Sequence, residues 1–126
     1  MYGQSSSAHD IYAQNNVEIE SPAKLVAMLY EGVLRFNAQA KKALRDGNIE
    51  KRIYWTNRSI AIITELIAIL NPEEGGDVAR YLEGLYNYQI QLLSQASAHL
   101  DESKYDECSN VFRELLAAWR ETTHVA

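Results

Sequence analysis

Apolar residues recur at helical spacing through most of the chain, in four stretches separated by short breaks. In the first, Leu25, Leu29, Val33, Phe36 and Ala40 form one stripe, with Val26 at its edge. Ser21 offers a hydroxyl cap and Pro22 a residue that needs no amide partner, so the pattern predicts a helix over about 22–46, stopped by Gly47. In the second, Ile49, Ile53, Thr56, Ile60, Ile63, Ile67 and Leu70 alternate steps of four and three, and Asn71-Pro72 ends the run. In the third, Val78, Leu82, Leu85, Gln89, Leu92 and Ala96 continue the spacing with one polar interruption. Asp77 can cap that helix, which leaves Glu73 to Gly76 as a connection. In the fourth, Tyr105, Cys108, Phe112, Leu115 and Trp119 repeat it, with Asp101 and Ser103 as caps. No stretch alternates as a strand would. Short connections place neighbouring helices antiparallel, so the expected fold is all-α, an antiparallel up-down bundle of four long helices. Residues 1–20 are rich in Gln, Ser, Asn and Asp and keep no clean period. They are expected to form a mobile or partly helical N-terminal leader, with residues 21–126 as the bundle domain.

The second helix is greasier than a bundle requires. A further stripe of Trp55, Ile62, Leu66 and Ile69 lies beside the first, and the two together span roughly 200° of the helix, about twice a surface helix's apolar arc. Glu50, Tyr54, Asn57, Ala61, Thr64, Glu65 and Ala68 are left to face water. Two explanations fit: the helix is central and packed by two neighbours, or part of the second stripe lines a groove for a guest helix. The chain also carries eight tyrosines against two phenylalanines. Tyr81 and Tyr88 share one flank of the third helix while Tyr86 projects on the other, and Tyr30 sits just beyond the edge of the first helix's core face. Tyrosine suits such half-wet positions, at the boundary of a core or in an interface.

Composition narrows the functions. At 126 residues the chain should form one bundle domain behind its leader, with 47% hydrophobic residues and ordinary globular character. A net charge of -5 argues against nucleic-acid binding, and the basic runs Lys41-Lys42 with Arg45, and Lys51-Arg52, suit solvated helix faces. Cys108 is the only cysteine and falls on an apolar face, where a small core hydrophobe is expected. The most apolar stretch, Ile60 to Leu70, carries Thr64 and Glu65 and is too short for a span, so no membrane insertion is expected. Met1 to Asp10 lacks a signal-peptide pattern, and a cytoplasmic protein is expected. A di-iron bundle needs two Glu-x-x-His pairs; this chain has one, Glu121 with His124 at its end, so no metal or other cofactor is expected. No Ser or Cys has an activating context and no glycine loop cradles phosphate, so no enzymatic activity is expected.

Ser21 to Phe36 reads SPAKLVAMLYEGVLRF. Together with Tyr12-Ala13-Gln14, Val17-Glu18, Glu65-Leu66, Gly75-Gly76, Leu85-Tyr86-x-Tyr88, Gln95-Ala96 and Trp119-Arg120-Glu121, in that order, it resembles the flagellar secretion chaperone FliS family. Ser97 follows Gln95-Ala96 where the family frequently has Asn. The resemblance implies a compact helical bundle that binds the disordered C-terminal segment of flagellin, prevents premature polymerisation and helps delivery to the flagellar type III export gate. It also implies a co-chaperone or regulator partner in some members. A client that folds on binding is held reversibly over a large surface, which suits a carrier that must release it. Partner-contact candidates are Ile11 and Tyr12 in the leader, Tyr30 and Leu34 off the first helix's core face, Ile62, Leu66 and Ile69 from the second stripe, and Tyr81 and Tyr88. A self-associating bundle whose surplus apolar surface makes a homodimer is the competing expectation.

Overall fold

A hydroxyl before a proline starts the first helix as local chemistry dictates: Ser21 Oγ accepts from the Lys24 amide at 3.2 Å and Pro22 follows at the first helical position. The computed structural model describes residues 21–126. In them lie α1 (Pro22–Arg45), α2 (Ile49–Ala68), α3 (Pro72–Ala98) and α4 (Glu102–Thr123). Gly47 closes α1 at φ 69°, where Asn48 N donates to the Ala43 carbonyl at 2.9 Å and Gly47 N to Leu44 at 3.1 Å. Asn48 then turns cap for α2, its Oδ1 accepting from Lys51 N at 3.0 Å. One residue pair thus ends one helix and starts the next, which is why α1 and α2 can fold back on each other so tightly.

The start of α3 differs from the sequence expectation. Asn71, not Asp77, is the cap, and the stretch expected as a connection forms a helical first turn that bends at Gly76 (φ 57°, ψ -132°). Pro72 is suited to a first turn, and the Gly76 conformation is one that only glycine adopts easily. Asp101 caps α4, which starts two residues earlier than expected.

α1 packs against α2 and α4, and α3 closes the square by packing against the same two. The expected antiparallel bundle is therefore what forms. Leu29, Val33, Ala40, Ile63, Leu93, Ala96, Cys108 and Phe112 are fully enclosed at its centre. Burying each large aliphatic or aromatic among them contributes roughly 1.5–3 kcal/mol. Cys108 is a core group as expected, and burial pushes its thiol pKa up to about 12. The core face of α2 lies between its two stripes rather than on the first: Thr56, Ser59, Ile62, Ile63 and Leu66 are buried, while Ile49 and Ile53 are exposed. The cause is a neighbour on each side. Phe36 of α1 packs at a tilt against Trp55 with ring centroids 5.3 Å apart, and Arg52 Nε of α2 donates to Ser97 Oγ of α3 at 3.3 Å. Val78, expected in the α3 stripe, is exposed, two residues past the bend at Gly76.

A polar knot crosses this apolar interior. Ser59 Oγ donates to Asn37 Oδ1 at 2.6 Å, and Asn37 Nδ2 donates to Ser109 Oγ at 3.2 Å, linking α2, α1 and α4. All three side chains are buried, so the bonds fix the register of the helices more than they add net stability. Asn37→Ala strips both serines of a partner and should lower stability by about 1–2 kcal/mol. Adding Ser59→Ala to it should cost less than the sum of the single changes, read from urea unfolding midpoints.

Candidate functional groove

At the end of the bundle where α1 and α3 begin, the four helices do not close. They leave a mainly apolar groove of about 400 Å³. One wall comes from the end of α2 and the residues just after it, with Leu66, Ile69 and Leu70, and the opposite wall from Val78, Ala79 and Leu82 of α3. Trp119 of α4 closes one side, held in place by its Nε1 donating to the Ala23 carbonyl at 2.7 Å. The lip is the unusual first turn of α3, with Glu74 and Gly75. A Cβ at Gly75 would come within 2.7 Å of Ala79 Cβ, so glycine lets this turn lie close on its own helix.

Tyr30 and Tyr86 reach this groove from α1 and α3. Their hydroxyls meet at 2.6 Å, and both residues are 2% exposed. Tyr30 is therefore a core residue, not the edge position its spacing suggested. Its hydroxyl finds a partner across the bundle, which lets the whole side chain leave water. Phe112 packs edge-on to Tyr30 at 5.7 Å and stacks on Tyr86 at 6.2 Å, fixing both rings. Burial raises the Tyr30 pKa, only partly opposed by the bond to Tyr86, and burial also raises that of Tyr86. Both stay neutral hydroxyls at physiological pH.

The structure brings three of the candidate residues together here: Tyr30, Leu66 and Ile69. Ile69 stands 43% exposed at the mouth, whereas Leu66 is 1% exposed and builds the wall from inside the core. Ile62 is buried, fitted over Gly32 so closely that a Cβ there would sit 2.6 Å from its Cδ1. Leu34 lines a different cavity, of about 320 Å³ between α1 and α4, among Lys41, Lys42, Arg45 and Arg113. Tyr81 and Tyr88 are exposed on the outside of α3 and line neither cavity. Ile11 and Tyr12 lie outside the described residues. Val78, Leu82, Tyr86 and Trp119 were not among the candidates. For Tyr86 the signal was present, since its position two residues from Tyr88 turns it to the opposite side of α3.

The groove offers apolar contact and hydroxyls but no reactive group. Among the described residues there is no cluster of three side chains suited to a metal ion, and no helix is long and apolar enough to cross a membrane. Such a site can take up the apolar flank of another segment.

Comparison with known proteins agrees in kind. Residues 4–126 match the family model described as flagellar protein FliS. The chain is 52% identical over 118 residues to the flagellar secretion chaperone FliS of Campylobacter jejuni, covering 94% of this chain and 92% of the relative. It is 29% identical to that of Vibrio cholerae over 94% of this chain and 88% of the relative. To flagellar secretion chaperone FliSB of Pseudomonas aeruginosa it is 32% identical, over 90% and 93%. The chain belongs to the FliS family of flagellar secretion chaperones.

Proposed function

We propose that this protein is a cytoplasmic export chaperone whose apolar groove holds the C-terminal segment of flagellin as an amphipathic helix, prevents premature polymerisation and helps deliver the client to the flagellar type III export gate. The observation that carries the reading is the open end of the bundle. There, exposed Ile69 and Val78 stand directly beside the buried Leu66, Tyr30 and Tyr86, so core packing continues outward into an unfilled slot. A guest helix with apolar residues on one flank completes that packing. Such a client is unfolded when free and incurs its ordering cost on binding, so it is held without being trapped. On this reading the leader residues Ile11 and Tyr12 compete with the client for the slot.

Calorimetric titration of the full chain with a flagellin C-terminal peptide tests this. A 1:1 complex, with a negative heat-capacity change from apolar burial, is expected. Deleting residues 1–19 should tighten binding by removing the internal competitor. Unchanged affinity would remove the leader from the scheme, and a tight dimer indifferent to the peptide would favour self-association instead.

A further inference from the structure

We infer that the Tyr30–Tyr86 hydroxyl pair is a selectivity element of the groove: it hydrogen-bonds one neutral polar side chain, an amide or a hydroxyl, that the bound helix carries among its apolar contacts. The inference rests on the groove being the client site and adds which helices it accepts.

Hydrogen counting motivates it. Two tyrosines bring two O–H donors, and the 2.6 Å bond between them uses one. Neither hydroxyl has another hydrogen-bond partner among the described residues. One donor and several lone pairs are therefore uncommitted, at two residues lining a mainly apolar groove. Phe112 holds both rings, so the hydroxyls cannot easily swing out to reach water. A wholly apolar helix seated there would seal that buried donor in without a partner. A helix presenting Asn, Gln, Ser or Thr at that depth satisfies it.

Charge narrows the class. Among the described residues that line the groove, Glu74 is the only charged one and none is a cation. A buried carboxylate on the client would be desolvated beside a like charge, so it is disfavoured. A basic residue on the client is accommodated at the Glu74 lip but not at the tyrosines. Discrimination by an otherwise unpaired buried group is stronger than discrimination by one extra methylene.

The double variant Tyr30→Phe/Tyr86→Phe tests the idea. It removes both partners of the pair together and keeps their shape, so no orphan is created and the melting temperature should move little. The probes are a flagellin C-terminal peptide and a set in which each Asn, Gln, Ser and Thr is replaced singly by Leu, each titrated into the full chain. One replacement in the set should weaken binding to the unmodified protein by about tenfold and cost the double variant nothing. Tyr86→Phe alone should fall between them, and it carries the same comparison should the double variant melt early. Equal losses with both proteins at every position would overturn the inference and leave the groove standing, as would unchanged affinity of the parent peptide for the double variant. Failure of the parent peptide to bind the unmodified protein removes the proposed function and this inference with it.

Discussion

Leu66→Asp is expected to unfold the bundle rather than merely disable a site. Leu66 is 1% exposed and belongs to the same core cluster as Leu29, Ile63 and Phe112. A carboxylate there loses apolar packing and has no cation among the described groove-lining residues to compensate it. The combined loss should reach about 4 kcal/mol or more, a large part of the 5–15 kcal/mol that a domain of this size has in total. Urea unfolding and far-ultraviolet circular dichroism check it: the variant should lose its cooperative transition or shift it to much lower denaturant. Leu66→Met, which keeps the volume, should cost less than about 1.5 kcal/mol. A folded Leu66→Asp protein that only fails to bind client would show instead that the groove wall is separable from the core.

Leu66 also marks where sequence reasoning reaches and where it stops. Helix spacing, caps and the glycine turn at Gly47 place the four helices and their antiparallel order, apart from the first turn of α3. These are local properties, carried by residues next to one another in the chain. The second stripe of α2 is not local. Periodicity says that Trp55, Ile62, Leu66 and Ile69 share a flank, but not what covers that flank. The structure answers residue by residue: Phe36 covers Trp55, the bare surface of Gly32 accepts Ile62, and Leu66 is enclosed. Only Ile69, just past the last residue of α2, emerges at the groove mouth. The surplus apolar surface is thus mostly ordinary packing between two neighbours, and a small remainder is open.

Tyr30 and Tyr86 were obscured for a related reason. They are 56 positions apart in sequence, and only the diagonal crossing of the bundle brings their hydroxyls together. Nothing in the spacing of either helix marks such a meeting. Gly75 and Gly76 were visible, but as a linker. Their role as the lip of the groove depends on the positive φ of Gly76 and on the approach to Ala79, both features of three dimensions. Gln89, the polar interruption of the α3 stripe, is 1% exposed, so a break in an apolar pattern did not mark a surface position.

Ile69→Asp should have the opposite signature to Leu66→Asp. Ile69 caps the C-terminal end of α2 and is already 43% exposed, so a polar replacement removes little buried surface and needs no rearrangement. Its melting temperature should stay within a few degrees of the unmodified protein. Client affinity should fall about thirtyfold or more, because seating an apolar helix over a carboxylate desolvates the charge and forfeits the contact. Ile53 supplies the control: it is 45% exposed on the same helix and lines neither cavity. The two isoleucines are nearly equal in exposure, chemistry and helix, and differ in whether they stand at the groove. Ile53→Asp should therefore leave affinity for a flagellin C-terminal peptide within about twofold, since surface changes away from a site shift free energies by under half a kilocalorie per mole. Equal losses from the two substitutions would assign the client to a broad apolar surface of α2, and a loss confined to Ile53→Asp would move it to the far end of the bundle. A loss confined to Ile69→Asp places the client in the slot between α2 and α3, over the tyrosine pair.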